Sequence, residues 1–276
     1  MARLQYLQKP LTIKQLTLKN RIVMPPMCQY QAVDGLMNDW HFVHYTARAM
    51  GGVGLIIVEM TNVAPNGRIS PRCLGLWNDE QRDALKRVVE AVHAQGAKVG
   101  IQIAHAGRKA QECDDVVAPS AIHYGEPDFE GQALKTPRAL SVNEIDEIIA
   151  AFALAAKRAV EAGVDMIELH GAHGYLIHQF CSPKSNQRDD DYGQDRLLFG
   201  EKVILAVKKV MPEGMPLAVR ISAQEYCQEG YDSDYGVEIA KRFASAGADI
   251  MHVSGGGNGV MHKGNHPTIN AGYQVY

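Results

Sequence analysis

One hydrophobic pattern repeats along this chain: an amphipathic stretch at helical spacing, a small-residue stop, then a short aliphatic and β-branched run. The stops are Ala49-Met50-Gly51-Gly52, Ala94-Gln95-Gly96, Glu161-Ala162-Gly163 and Ser245-Ala246-Gly247. The runs after them are Val53-Gly54-Leu55-Ile56-Ile57-Val58-Glu59, Lys98-Val99-Gly100-Ile101-Gln102-Ile103, Asp165-Met166-Ile167-Glu168-Leu169 and Asp249-Ile250-Met251-His252-Val253. A glycine past the last helical turn takes the left-handed cap conformation without a Cβ penalty. Apolar runs this short, with little polar alternation, predict strands buried on both faces, as in a parallel sheet. Two further strands fit the scheme: Arg21-Ile22-Val23-Met24, and Leu217-Ala218-Val219-Arg220-Ile221 after the Pro-Gly-rich break at 212–216.

Between the strands, residues 79–94 place Leu85, Val88, Val89 and Val92 on one helical face. Ser141-Val142-Asn143-Glu144 reads as a capping box that opens a helix reaching about Ala162. Later helices are predicted over 195–210 and 234–246, and a short strand pair over 11–13 and 16–18 as a cap on one barrel end. Residues 106–140 form a long excursion rich in Gly, Pro and Asp, of the kind that is usually functional inside a compact domain.

Alternating β and α units mean a parallel sheet, either doubly wound or closed as a (β/α)8 TIM barrel. A doubly wound dinucleotide fold would carry G-x-G-x-x-G after its first strand, where this chain has Pro25-Pro26-Met27-Cys28. The expectation is therefore a single (β/α) barrel domain over 1–276 with an N-terminal capping hairpin. Six strands are visible, so the barrel is expected to be truncated after the sixth, with βα units seven and eight absent.

Composition narrows the function classes. The 276 residues are 46% hydrophobic and 21% charged, with a net charge of −3 and no long charge run. This gives no footprint for nucleic acid or a membrane surface. The five cysteines, Cys28, Cys73, Cys113, Cys181 and Cys227, are scattered, with no disulfide framework and no zinc or iron–sulfur spacing. With no signal-peptide pattern at the start, a reducing cytoplasm is the expected location.

The densest chemistry lies in Ile167-Glu168-Leu169-His170-Gly171-Ala172-His173-Gly174-Tyr175. An apolar strand runs into a Gly-rich turn carrying two imidazoles and a phenol. His170 and His173 can each donate to one substrate oxygen, and Tyr175 can pass on a proton. A packed strand end with buried, hydrogen-bonded histidines is the competing reading.

Several motifs in order make the chain similar to the old yellow enzyme family of FMN-dependent ene-reductases, most of all its bacterial thermophilic-like subclass. They are the stretch from Lys19-Asn20-Arg21 to Met27-Cys28, Gly54-Leu55-Ile56-Ile57-Val58-Glu59, Gly100-Ile101-Gln102-Ile103-Ala104-His105-Ala106-Gly107-Arg108-Lys109, the His170–Tyr175 loop, Leu176-Ile177-His178-Gln179-Phe180, Ser182-Pro183-Lys184-Ser185-Asn186-Gln187-Arg188 and Val219-Arg220-Ile221-Ser222. The resemblance spans residues 11–275 and implies a flavin across the C-terminal mouth of the barrel. Pro26, Met27 and Cys28 would pass beneath it, Cys28 tuning its redox potential. Met60 would touch it where the family usually has a smaller residue. Tyr30, with His170 and His173, would contact the substrate.

Residue types support two further flavin contacts. Alternate strand residues share a face, so Gln102 is the polar member of Gly100, Gln102 and Ala104, and Arg220 the charged member of Ala218, Arg220 and Ser222. Gln102 suits the pyrimidine ring, and Arg220 suits the negative N1–C2=O edge of reduced flavin. A structural ion pair of Arg220 with Glu168 or Glu59 is the alternative.

The implied reaction takes hydride from NADPH, or NADH, and reduces the C=C bond of an α,β-unsaturated carbonyl or nitro compound. Tyr175 or a water would protonate Cα. A homo-oligomer, dimer or tetramer, is expected. In two places the chain departs from the subclass. The segment Asp190-Asp191-Tyr192-Gly193-Gln194-Asp195-Arg196 is about three residues shorter than usual. The backbone donors and arginine that hold the FMN phosphate in the family, and the arginine lent to a neighbouring subunit, have no counterpart by Gly272-Tyr273-Gln274-Val275. Two other readings stay open: a metal-dependent barrel hydrolase using His170, His173 and His178 as ligands, and a flavin-free barrel with a structural or assembly role.

Overall fold

The computed structural model describes residues 4–110, 113–127, 131 and 133–259. In chain order the elements are α1 (Leu4–Leu7), β1 (Leu11–Ile13), β2 (Leu16–Leu18), β3 (Val23–Met24), α2 (Asp39–Met50), β4 (Leu55–Asn62), β5 (Leu74–Gly75), α3 (Asp79–Ala94), β6 (Lys98–Ala104), β7 (Val117–Ala118), β8 (Arg138–Ala139), α4 (Val142–Glu161), β9 (Met166–Gly171), α5 (Leu176–Cys181), α6 (Asp191–Gln194), α7 (Leu198–Lys208), β10 (Leu217–Ser222), α8 (Ser233–Ser245) and β11 (Ile250–Ser254).

The principal sheet runs β3-β4-β6-β9-β10-β11, every pair parallel, with β5 added beside the end of β4. Each long strand pairs with the long strand before it, the usual outcome of short connections between sequential βα units. The helices start where the chain supplies caps. Ser141 forms the capping box expected with Glu144, and Asn38 and Asn78 form two more with His41 and Gln81.

Alternation along the strands divides the sheet between two cores. One face packs Ile56, Val58, Val99, Ile101, Ile167, Leu169, Val219 and Ile221 against the helices. The other turns Leu55, Ile57, Met166 and Ala218 inward, where Leu16 and Leu18 of the β1–β2 pair cover them. Val23 at one end of the sheet and Ile250 at the other line the same cavity of about 390 Å³. Both ends of the sheet therefore face one space: it curls as a half-barrel, with the β1–β2 pair across the N-terminal ends of its strands.

The helix expected over 195–210 is present as α7, Leu198–Lys208, and the separate turn α6 precedes it. Asp190 caps α6 by accepting the Tyr192 N–H at 3.1 Å, and Asp195 then turns extended before α7 begins. The excursion's regular structure among its described residues is slight: a short helical turn at Gly107–Lys109, the two-residue pair β7–β8 and a lone bridge between Pro127 and Ala133. The excursion is tied down by Arg188, which donates to the carbonyls of Pro119 and Leu140 at 2.8 and 2.6 Å. No described helix is long and apolar enough to cross a membrane.

Candidate active site

The C-terminal strand ends gather the chemistry at one rim. His170, next to last in β9, lies opposite Arg220 of β10, and Arg220 lies opposite His252 of β11. The next residues make a tight left-handed turn, with φ +60° at His173 and +73° at Gly174. A non-glycine residue there needs outside support. His173 receives it three times. Its N–H donates to Ser222 Oγ at 3.1 Å, its Nε2 lies 2.6 Å from Ser254 Oγ, and its carbonyl accepts from Lys109 Nζ at 2.8 Å.

The turn brings three rings together. The His170 centroid lies 5.1 Å from that of His173 and 4.7 Å from that of Tyr175, both edge-to-face. Burial, then the neighbouring His173 and Arg220, hold His170 well below the usual histidine range. Burial and Arg220 likewise hold His173 down to about 3. Both rings are therefore neutral at physiological pH. His170 Nδ1 accepts the Ala172 N–H at 3.3 Å, which leaves its proton on Nε2. Burial raises the Tyr175 phenol well above its ordinary value, so it stays protonated.

The inward face below carries the polar residues expected there. Gln102 Nε2 donates to Glu168 Oε1 at 2.7 Å, and His252 Nδ1 meets Glu168 Oε2 at 2.8 Å. Glu59 accepts the Gln29 N–H at 2.6 Å and the Tyr45 hydroxyl at 3.1 Å, and burial raises its carboxyl to about 7. With both carboxylates so engaged, Arg220 forms no ion pair among the described residues, and its buried Nε lacks a hydrogen-bond partner.

The segment after β3 reaches the same rim. Tyr30 turns left-handed at φ +52° and, with Cys28, packs against a cluster holding Met60, Cys73, Ala104 and Ala106, which Tyr175 also joins. Cys28 hydrogen-bonds to Cys73. That contact holds the Cys73 thiol down to about 7, and together with burial it pushes Cys28 up. Pro26 is buried, whereas the Met27 side chain is 49% exposed and its carbonyl accepts from Gln29 Nε2 at 2.9 Å.

The structure thus brings His170, His173, Tyr175, Tyr30, Cys28 and Met60 to the rim, and Gln102 and Arg220 to the face beneath it. It separates His178 from the other two histidines. His178 Nδ1 accepts the Gly174 N–H at 2.8 Å, and its Nε2 lies 2.9 Å from the buried Glu225. No group of three His, Cys, Asp or Glu residues able to hold a metal exists among the described residues. Sequence reasoning missed Ser254, Cys73 and the clamp made by Lys109. Lys109 closes the Gly100–Lys109 motif, but nothing in local spacing points from it to His173.

Comparison with known proteins agrees with this geometry. Residues 6–254 match the model of the NADH:flavin oxidoreductase / NADH oxidase family. The NADPH dehydrogenase of Geobacillus sp. (strain WCH70) is 49% identical over 252 residues, covering 90% of this chain and 72% of that protein. The NADPH dehydrogenase of Clostridium acetobutylicum is 47% identical over 270 residues, covering 96% of this chain and 76% of that protein. The solved structure of morphinone reductase superposes with a TM-score of 0.81 at 31% identity, over 90% of this chain and 71% of that one. The chain belongs to the NADH:flavin oxidoreductase / NADH oxidase family, among the old yellow enzyme type of flavoenzymes that work with FMN and a reduced nicotinamide nucleotide.

Proposed function

We propose that this protein reduces the C=C bond of α,β-unsaturated carbonyl or nitro compounds at the expense of NADPH or NADH. The observation that carries the reading is the pair of neutral imidazoles at the rim, 5.1 Å apart, with a phenol ring 4.7 Å from one of them. When bound, FMN supplies the hydride chemistry, accepting hydride from the nucleotide and passing it to the alkene.

The residues present fit such a group. An arginine with an unsatisfied buried Nε suits an anionic ring edge, since a buried guanidinium needs an acceptor. In this reading Arg220 and Gln102 hold the polar edge of the cofactor. The 26–28 segment and Met60 border it, and Cys28 sets the polarity near its reactive side.

His170 offers its Nε2–H to the substrate oxygen. Ser254 can donate its hydroxyl proton to His173 Nε2, which leaves the Nδ1–H of His173 free for the same oxygen. Two preorganised donors stabilise the negative charge that grows on that oxygen in the transition state. Tyr175, protonated and within ring contact of His170, delivers the proton to Cα, and Tyr30 lines the substrate side. The sequential parallel strands support a (β/α)8 barrel as the frame, in a single domain.

Anaerobic titration of the FMN-loaded protein with NADPH tests the proposal. The flavin absorbance should bleach and then return on addition of 2-cyclohexenone. Bleaching that neither enones nor nitroalkenes reverse would remove the alkene-reductase reading while leaving the NADPH oxidoreductase intact.

A further inference from the structure

Lys109 has no part in the hydride chemistry above, yet three segments meet at its side chain. It lies in the short turn 107–109 after β6, at the start of the excursion. Its Nζ donates to the His173 carbonyl at 2.8 Å and to the Gly257 carbonyl at 2.5 Å. It also lies 4.4 Å from the ring centre of Tyr124 and 5.5 Å from that of Tyr175. The Tyr124 hydroxyl donates to the same Gly257 carbonyl at 3.2 Å.

Gly257 adopts φ +95° and packs directly on the left-handed turn: a Cβ there would meet His173 Cα at 2.4 Å. The left-handed His173, a costly conformation for a residue with a Cβ, thus lies face to face with the positive-φ Gly257, with both carbonyls turned to one nitrogen. Such strain persists only where surrounding groups over-determine it.

We propose that Lys109 is a positioning residue for the two-histidine grip, stapling the His173 turn to the Gly257 loop and holding a positive charge against the Tyr175 ring. The chemical consequence rests on the alkene-reduction reading; the staple does not. Without the staple, His173 and Ser254 would lose their 2.6 Å register. A cation over an aromatic ring is favourable, more so when desolvated, and it eases proton loss from the phenol.

The groups facing the ammonium are Arg108 from its own turn, Glu126 and Tyr124 from the excursion, and His173 and Tyr175 from the β9–α5 loop. Burial, reinforced by Arg108, brings Lys109 down to about 7. Its charge is therefore present below neutrality and lost above it. A neutral amine still has two N–H groups for two carbonyls, so the staple survives deprotonation and only the charge titrates.

The test uses FMN-loaded wild type, K109M and K109R. Amide hydrogen exchange over 171–175 and 254–258 should speed up about tenfold in K109M and stay near wild type in K109R. Unchanged exchange in K109M would overturn the staple. Reoxidation of the reduced protein by 2-cyclohexenone should fall about tenfold per pH unit above pH ~7 in wild type, as for one titrating group. K109R should hold its rate to higher pH, and K109M should be slow and flat. A wild-type falling limb retained in K109M would overturn the role of the charge. If exchange responds as expected but no enone reoxidises wild type, the staple stands and the alkene reading falls.

Discussion

His173 Nε2 lies 2.6 Å from Ser254 Oγ, across 81 residues of sequence, joining the β9–α5 loop to the end of β11. The contact sets which ring nitrogen of His173 faces the rim. Replacing Ser254 with Ala should leave flavin content unchanged and weaken enone binding about fivefold to tenfold, the scale of one lost hydrogen bond. H173A should weaken it further. Equal enone KM in S254A and wild type would show that the serine does not set the tautomer.

Arg220 should matter to the cofactor rather than to the fold. A hydrogen bond to a charged group contributes about 1.5–3 kcal/mol. R220M should therefore bind FMN about tenfold to a hundredfold more weakly, while its thermal midpoint as apoprotein stays at or above that of wild type, since a poorly paired buried cation is removed. Fluorescence titration of apoprotein with FMN measures the first effect and differential scanning fluorimetry the second.

The turn at Gly174 should tolerate no side chain. A Cβ there would lie 2.2 Å from the Gly257 carbonyl oxygen, on a backbone at φ +73°. G174A should cost about 2 kcal/mol or more in stability and disturb the His173 turn. A urea midpoint matching wild type would contradict the described turn.

Acid should destabilise the protein through buried neutral histidines. Burial holds His105 down to about 4 and His173 to about 3, with His170 well below its usual value. Below the unfolded value of 6.5 the unfolded chain binds protons that the native state refuses. The stability these histidines contribute is fully present above that pH and is lost as pH falls toward their folded values. Each contributes at most about 1.4 kcal/mol per pH unit. Glu59 runs the other way. Raised to about 7, it binds a proton in the native state between that pH and its unfolded value of 4.5, and offsets one histidine there. Urea midpoints measured from pH 7.5 to 5 should decline steadily, and a flat series would mean these rings are not buried neutral.

Cys28 and Cys73 should titrate as a pair. With the Cys28 thiol as the main influence lowering it, Cys73 sits at about 7. C28A should raise the Cys73 thiol toward its ordinary value, which thiolate absorbance near 240 nm would report. An unmoved Cys73 titration in C28A would show that the Ser70 contacts alone hold it.

Much of the site was legible beforehand because it is local. His170, His173 and Tyr175 fall within six residues at one strand-to-helix junction, so any parallel sheet that buries Ile167 and Leu169 must present them at its rim. Gln102 and Arg220 followed from strand alternation for the same reason. The sequence could not decide whether Arg220 pairs with Glu168. That depends on Gln102, 66 residues earlier, and His252, 84 residues later, occupying both carboxylate oxygens.

Hydrophobic periodicity and glycine stops by themselves determined the order of strands and helices, the parallel sheet and the loop that carries the imidazoles, since each depends on neighbours a few residues apart. Tertiary structure alone decided that His178 turns to Glu225, that Cys73 meets Cys28, and that Lys109 reaches Gly257 across 148 residues. The sheet's curl brings those side chains together, and hydrogen bonds of a few ångströms form only once that curl is made.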